Sequence, residues 1–440
     1  MEAQTTGRRF WRTFRDGPSP EVGDISANCF WVRLFEWLGV FNAFSFKDMN
    51  ATPVPRMPSI PAQPADLTAA WLQEMLSLNG FTGPAVRIAS FEQKRIGTGQ
   101  IGQNVRITFT YGSPADAAAA GAPKTLVAKF VSSDASSRGA GLALGNYERE
   151  VDFYRDFAPI LRSATPGIPP MNVARCWAAE FDADAQTTIL VLDDLAPAEQ
   201  GDQIAGCSVD DARTAVSQAA ILHAKFWESP LLASTPWLKD PLDPERAVML
   251  DGMLGMFWPA FKERYSDRLT DAMCALGDRI SGSASRWVLS RTGPFTLTHG
   301  DYRLDNLLYS PAPTAFTDGS QDGSTAIAVD WQTPAIGMGG IDIGYFVGAG
   351  LLAEQRRFHE RDLVKQWHDA LCTYGVTNYS LDAAWDDYRH GQFSGFIVAV
   401  VASMITERTE RGDEMFWAMA GRHLTTALET NAADLLPSID

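Results

Sequence analysis

Residues 297–309 read LTHGDYRLDNLLY, and residues 326–332 read AIAVDWQ. In both stretches, polar residues interrupt short apolar runs of the kind that form buried strands. Asn306 and Asp330 supply one amide and one carboxylate, which suits Mg²⁺, because this ion prefers oxygen ligands and seldom takes a full protein cage. Asp301, five positions before Asn306, can reach a substrate hydroxyl. A polar loop with capping aspartates is the alternative, and the pairing of HGDxxxxN with a distal DW disfavours it.

A second informative stretch lies at residues 96–111, IGTGQIGQNVRITFTY. Its three glycines, in a GxGxxG pattern, are Gly97, Gly99 and Gly102. This pattern alone is weak, because it opens a helix in dinucleotide-binding folds but joins two antiparallel strands over phosphates in kinase-like folds. Residues 105–111 alternate apolar and polar side chains, which predicts a strand and favours the second arrangement. An ordinary glycine-rich hairpin stays open as the alternative.

Lys129 lies in the predicted strand at residues 125–131, TLVAKFV. A lysine on a strand is usually solvated, so a partner decides whether it has a role. In the predicted helix at residues 142–161, Glu150 lies on the aromatic face by three-and-four spacing. A buried carboxylate needs a cation. The sequence therefore indicates Glu150 as a partner for Lys129.

The composition limits the class of protein. A chain of 440 residues is expected to form two lobes or domains, and 45% hydrophobic with 20% charged residues excludes a largely disordered protein. The net charge of −16 argues against sequence-independent nucleic acid binding. No run approaches the roughly 20 apolar residues of a membrane-spanning helix. Five scattered cysteines without a CxxC pair predict reduced thiols in a cytoplasmic protein.

The order of patterns predicts how the chain is organised. Residues 51–65, ATPVPRMPSIPAQPA, contain five prolines and predict a linker. A short amphipathic helix is expected at residues 67–78, and strand patterns with a second helix at residues 142–161 follow up to residue 194. Residues 173–181 and 187–192 are expected to form a hairpin. Residues 113–123, SPADAAAAGAP, are expected to be an inserted loop between two strands. After residue 194 the patterns are mostly helical.

These motifs resemble those of the aminoglycoside phosphotransferase and choline kinase superfamily. HGDYRLDNLLY and VDWQ are very similar to its motifs, and GMGGIDIGYF at residues 337–346 is similar to its downstream GxxxxD segment. ILHAKFW at residues 221–227 resembles a helix motif of the ecdysteroid-kinase-like branch. The resemblance covers about residues 66–430 in the same order. It implies an α+β, two-lobed protein-kinase-like fold, with a small antiparallel-sheet N-lobe that has one helix and a larger, mainly helical C-lobe.

The resemblance also implies a division of labour along the chain. Residues 1–65 would form an N-terminal extension and linker, residues 66–194 the nucleotide-binding N-lobe, and residues 195–440 the helical C-lobe with the catalytic loop and acceptor site. The glycine loop would cover the ATP phosphates, and Lys129, paired with Glu150, would hold the α and β phosphates. The hinge, whose backbone would contact adenine, would be Val191, Leu192, Asp193 and Asp194.

The remaining implied roles concern the chemistry. Asp301 would orient and deprotonate the acceptor hydroxyl, while Asn306 and Asp330 would bind Mg²⁺. His299 and Asp342 would brace the catalytic loop. The implied activity is an ATP- and Mg²⁺-dependent transfer of the γ-phosphate to a hydroxyl of a small organic molecule.

Two other functions stay open. Asp330 is followed by Trp-Gln instead of Phe-Gly, and no APE segment appears, which disfavours a protein kinase. A catalytically silent nucleotide-binding scaffold of the same fold is the second alternative, although no motif residue is missing. The aromatic residues of the helical half would suit a bulky or apolar alcohol, but core packing is their favoured interpretation: Phe257, Trp258, Phe261, Trp367, Trp385, Phe393, Phe396, Phe416 and Trp417. The sequence leaves the oligomeric state open.

Overall fold

The first half of the chain is built on a five-stranded antiparallel sheet. The computed structural model describes residues 52–96, 102–310 and 325–438. The strands of this sheet are β1 (Ile88–Ile96), β2 (Gly102–Tyr111), β3 (Thr125–Val131), β4 (Cys176–Asp182) and β5 (Thr187–Asp193). Their spatial order is β1-β2-β3-β5-β4. The alternation predicted for β2 is present, because Val105 and Ile107 are buried while Thr108 is exposed.

Among the described residues of this half, the helices are α1 (Ala69–Leu78), α2 (Pro114–Ala119), α3 (Ala135–Ala143), α4 (Asn146–Asp156) and α5 (Ala158–Arg162). The single helix expected over residues 142–161 is wrong, because Gly145 (φ +67°) separates α3 from α4 and Pro159 stands at the start of α5. The loop expected over residues 113–123 is also wrong at α2, where Pro114 begins a short alanine-rich helix.

The second half is mostly helical. Its helices are α6 (Val209–Phe226), α7 (Pro230–Ser234), α8 (Pro244–Arg264), α9 (Asp271–Ser281), α10 (Ala284–Ser290), α11 (Gly339–Gly350), α12 (Ala353–Thr373), α13 (Leu381–Ile405) and α14 (Glu410–Glu429). Its short strands are β6 (Glu199–Gln200), β7 (Thr296–Thr298), β8 (Leu307–Ser310), β9 (Thr325–Ala328) and β10 (Ala335–Gly337). They form a β6-β8-β9 sheet and a β7-β10 pair. The polar loops of the HGDxxxxN and VDWQ motifs follow β7 and β9.

The aromatic residues of the helical half are mostly core, as favoured from the sequence. Trp258, Phe261, Phe393 and Phe396 are buried together where α8 and α13 pack. Trp367 is buried in the cluster that joins α6 and α12. None of the helices in the described ranges combines the length and the apolar content that a bilayer crossing requires.

The proline-rich segment packs on the sheet. Met57 is buried, and its backbone N–H donates to Glu180 Oε1 at 2.8 Å. The Trp71 indole donates to the Ser59 carbonyl at 3.0 Å, which fixes the segment against α1. Residues 52–63 therefore contain no helix or strand but have specific partners in the sheet and in α1.

The antiparallel sheet with its helices, followed by the larger helical part, confirms the predicted α+β, protein-kinase-like fold class. The middle part of the helix expected over residues 142–161 is present as α4. The boundaries at residues 65 and 194 stay predictions.

Candidate active site

Lys129 lies between two carboxylates at the centre of the candidate site. Its Nζ is 2.7 Å from a Glu150 carboxylate oxygen and 2.6 Å from Asp330 Oδ1. Lys129 Nζ is also 2.8 Å from Glu150 Oε1, and Gln332 Nε2 donates to Glu150 Oε2 at 3.3 Å. Only 12% of the Lys129 side chain and 2% of the Glu150 side chain are exposed, whereas Asp330 keeps 39%. Asp330 is therefore the most exposed member of this group.

Burial and charge act against each other on these three groups. Burial lowers the pKa of Lys129, but the charges of Asp330 and Glu150 outweigh it, so the lysine pKa is raised overall. Burial raises the pKa of Glu150. Burial also acts to raise the pKa of Asp330, but the Lys129 charge outweighs it, so that pKa is lowered. A cationic lysine beside an ionised Asp330 is the resulting charge state.

The Asp301 carboxylate is held by three side chains. Tyr345 donates its hydroxyl to Oδ1 at 2.7 Å, and Asn306 Nδ2 donates to Oδ2 at 2.8 Å. The Nε of Arg303 lies 3.2 Å from both carboxylate oxygens. The Asp301 side chain keeps 23% of its surface exposed, so a substrate can reach it.

The backbone of the loop that precedes Asp301 is fixed by the buried carboxylate of Asp342, at the start of α11. Its Oδ2 accepts the His299 N–H at 2.7 Å and its Oδ1 accepts the Gly300 N–H at 3.0 Å. His223, from the ILHAKFW stretch in α6, contacts the same carboxylate at 3.2 Å. Gly300 has φ +78°, and a Cβ there would lie 2.3 Å from the Thr333 carbonyl oxygen. The loop therefore requires glycine at this position.

Two hydrogen bonds join the Asp301 loop to the Asp330 strand end. The Val329 N–H donates to the Asn306 carbonyl at 3.0 Å, and the His299 ring contacts the Val329 carbonyl at 3.0 Å. Because Asp330 follows Val329 directly, the Lys129 group and the Asp301 group are neighbours. The structure thus brings together Lys129, Glu150, Asp301, Asn306 and Asp330.

The glycine loop is described only at its end. Gly97 and Gly99 lie outside the described residues. Gly102 begins β2 and is opposite Val131 in β3, and a Cβ at Gly102 would lie 3.2 Å from Lys129 Cε. The end of the loop is therefore next to the lysine, and a side chain at residue 102 would crowd it.

Three of the predicted hinge residues form the end of β5, the strand next to β3, and Asp194 follows it directly. Val191 is buried in the sheet, and Leu192 is opposite Val127 of β3. The Asp193 carboxylate accepts two hydrogen bonds within the sheet. Asp194 forms a two-point ion pair with Arg106, at 2.6 and 3.0 Å. Both carboxylates are therefore occupied by contacts within the protein.

The donor set at Asn306 and Asp330 fits Mg²⁺. The Asn306 amide uses its Nδ2 for two contacts, donating to the carbonyl and to the carboxylate of Asp301. This orientation leaves the amide oxygen without a partner among the described residues. One amide oxygen and one accessible carboxylate form the partial set that Mg²⁺ takes, with water and phosphate oxygens completing it. The described ranges contain no cluster of three or more His, Cys, Asp or Glu residues suited to a metal.

Several residues of the site lie within the sequence motifs, but the sequence alone assigned no role to them. These residues are His223, Arg303, Gln332 and Tyr345. The signal for Tyr345 was available, because it follows Asp342 by three positions and so shares its helix face. The other contacts cross between elements that the sequence does not place relative to one another.

Several solved structures similar to this chain are named as small-molecule kinases. A choline kinase from Cryptosporidium parvum Iowa II is 11% identical, with 84% of this chain and 97% of that chain covered and a TM-score of 0.49. An ethanolamine kinase from Plasmodium vivax is 9% identical over 94% and 98%, with a TM-score of 0.46. A putative aminoglycoside phosphotransferase from Ralstonia eutropha JMP134 is 15% identical over 83% and 98%, also at 0.46.

No curated protein sequence matches this chain. The sequence profile of the ecdysteroid kinase-like family matches residues 101–375, which is more than half of the chain and includes Lys129, Asp301 and Asp330. This match supports phosphotransferase activity in general and confirms the resemblance seen in the motifs. The chain belongs to the ecdysteroid kinase-like family.

Proposed function

We propose that this protein transfers the γ-phosphate of ATP, with Mg²⁺, to a hydroxyl group of a small organic molecule. The observation that carries the proposal is that the Lys129–Asp330 ion pair and the Asp301–Asn306 pair lie next to each other. Lys129 and Asp330 form a 2.6 Å ion pair, and Asp301 with Asn306 lies beside them through the Val329 hydrogen bond. A cation, two metal-ligand candidates and a base candidate are what phosphoryl transfer needs at one place.

Each group has a role in the proposed reaction. Lys129 binds phosphate oxygens of the nucleotide, and Glu150 holds the lysine side chain in place. Mg²⁺, when bound by the Asn306 amide oxygen and Asp330, neutralises charge on the phosphate oxygens. The backbone of residues 191–194 contacts the adenine of the nucleotide, since the Asp193 and Asp194 side chains already bind other residues of the protein.

Asp301 acts on the acceptor. Its carboxylate accepts the proton of the acceptor hydroxyl while the acceptor oxygen bonds to the γ-phosphorus. The bond between that phosphorus and the oxygen bridging to the β-phosphate breaks, and ADP leaves with the bonding pair. Because the transition state is loose, alignment of the hydroxyl with the phosphate matters more than the strength of the base.

The acceptor class is a small alcohol. Neighbouring structures are named for kinases of choline, ethanolamine and aminoglycosides, all of which act on small molecules by those names. The net charge of −16 gives no support to nucleic acid as a partner. Cysteine usage supports a cytoplasmic location for the reaction.

The test is a broad screen of alcohols with ATP and Mg²⁺, read by the mass gain of one phosphate on the acceptor. Asp301→Asn should reduce the transfer rate by about 10² or more, as expected for loss of a positioned base. The matched control is Asp278→Asn, because Asp278 also accepts bonds from two side chains, Trp258 and Lys262, but lies on α9.

The outcomes separate the alternatives. Nucleotide binding without transfer to any alcohol would favour the silent scaffold, and transfer to generic protein substrates alone would favour a protein kinase. Equal rates for the wild type and Asp301→Asn would overturn the role of Asp301. An Asp278→Asn variant as slow as Asp301→Asn would show that the loss is not specific to the site.

A further inference from the structure

Tyr345 makes the shortest hydrogen bond to the Asp301 carboxylate. The hydroxyl donates to Oδ1 at 2.7 Å, and the ring is buried, with 3% of the residue exposed. Burial and the neighbouring Asp301 charge raise the pKa of Tyr345 well above its usual value, so the hydroxyl keeps its proton. Tyr345 is therefore a permanent donor to this carboxylate.

The donors around Asp301 limit where an acceptor hydroxyl can bind. An ionised carboxylate offers about four lone-pair positions. Tyr345 occupies one on Oδ1, Asn306 occupies one on Oδ2, and the Arg303 N–H is shared between the two oxygens. Roughly one position is left for a further donor. Without the Tyr345 hydroxyl, Oδ1 would have a second open lone-pair position. The carboxylate would also lose a hydrogen bond that restricts its rotation.

Tyr345 is held from two sides. It lies on α11 three residues after Asp342, which binds the backbone of the same loop. Its ring stacks on His423 of α14, with centroids 5.5 Å apart and an interplanar angle of 12°. One face of α11 thus fixes both the backbone of the catalytic loop and the rotation of the Asp301 side chain.

We propose that Tyr345 is a positioning residue that sets the rotation of the Asp301 carboxylate, so that a single lone pair faces the acceptor hydroxyl. This inference rests on the proposed phosphotransferase function. Tyr345 does not touch the substrate and transfers no proton. Its contribution is alignment of the base, which acts on the transfer step and leaves nucleotide binding to other residues.

Tyr345→Phe tests the inference, because it removes one oxygen and keeps the stacked ring. We expect kcat to fall about tenfold or more, as for loss of a hydrogen bond to a charged group, while KM for ATP changes less than about twofold. The matched control is Tyr379→Phe. The Tyr379 hydroxyl also donates to a buried aspartate, Asp387 Oδ2, at 2.6 Å, but it does not contact Asp301.

The control separates alignment from structural loss. An unchanged kcat in Tyr345→Phe, or an equal fall in Tyr379→Phe, would overturn the positioning role. A rise in KM for ATP of the same size as the fall in kcat would also overturn it, because the change would then act on nucleotide binding.

A second measurement does not depend on turnover. The urea midpoints of the wild type, Tyr345→Phe, Asp301→Ala and the double variant should be non-additive if the two side chains are coupled. Additive midpoints would mean that the hydrogen bond is absent in solution and would overturn the inference by itself. If the wild type transfers phosphate to no acceptor, the proposed function fails, and the positioning role fails with it even where the midpoints show coupling.

Discussion

Phe153 stacks face to face on Trp331, with ring centroids 3.9 Å apart and an interplanar angle of 7°. Phe153 lies one helical turn after Glu150 on α4, and Trp331 directly follows Asp330. Both rings are fully buried, and the Trp331 indole donates to the Ala328 carbonyl at 3.1 Å. The stacked pair therefore sets the separation of the two carboxylates that contact Lys129. It also gives a physical role to the tryptophan that follows the metal-ligand candidate.

Shortening Trp331 should weaken this link. Trp331→Ala should lower the free energy of unfolding by about 3–5 kcal/mol, because a large buried ring is lost and a cavity is left. Trp331→Phe keeps a ring against Phe153 and should cost clearly less. Urea unfolding followed by circular dichroism measures both, and equal losses for the two variants would contradict the stacking role.

Lys129→Met should make stability depend on pH. Glu150 would then be buried without its cation, and its pKa is already raised by burial. A carboxyl whose folded pKa lies above its unfolded value gives stability that is present at low pH and is lost as pH rises through the folded pKa. We expect Lys129→Met to be more stable in urea at pH 5 than at pH 8.

The control for this pH dependence is the double variant Lys129→Met with Glu150→Gln, which has no titrating group at residue 150. Its stability difference between pH 5 and pH 8 should be clearly smaller than that of Lys129→Met. If the double variant keeps the full difference, another group causes it.

Gly300→Ala tests the close approach of the catalytic loop to Thr333. The new Cβ would lie 2.3 Å from the Thr333 carbonyl oxygen at φ +78°. Gly375→Ala is the matched control, because Gly375 has φ +97° with no atom within 4 Å of the new Cβ. The control should lose about 1–2 kcal/mol from backbone strain alone. Gly300→Ala should lose more in urea unfolding and should lose phosphate transfer, and similar losses for both variants would contradict the close contact.

Asp387 should make the folded protein less stable as pH rises from about 4 to 7. Burial raises the pKa of its carboxyl to about 7, and the Tyr379 hydroxyl and the nearby Asp386 are its polar neighbours. Its unfolded pKa is about 3.9. The folded protein therefore loses stability as pH rises from about 4 through 7. Asp387→Asn should flatten this part of the stability curve, and an unchanged curve in urea titrations would exclude Asp387 as its source.

Local patterns were sufficient for the parts of the site that lie within one element. The β3 strand has the bounds expected from its apolar alternation, and the aromatic face of α4 pointed Glu150 inward. The contact of Lys129 with Glu150 follows from these two facts. Prediction from the sequence was possible here because strand and helix periodicity fix the direction of each side chain.

Contacts between distant elements were not predictable in the same way. Asp330 is 201 residues from Lys129, and no pattern in either segment indicates that they meet. Tyr345 is 44 residues from Asp301, and its role depends on how α11 packs beside the loop. The short helix α2 was missed because its alanines fall between two strands, where low complexity suggested a loop.

The anchoring of the proline-rich segment decides where a shortened chain can begin. Glu180 accepts from Arg56 and Met57 on one side and from Arg155 of α4, at 2.6 Å, on the other. A truncation after residue 50 keeps this anchor, so we expect it to express as a folded protein. A truncation after residue 65 would expose the Trp71 surface and free one side of the helix that carries Glu150, with aggregation as the expected outcome.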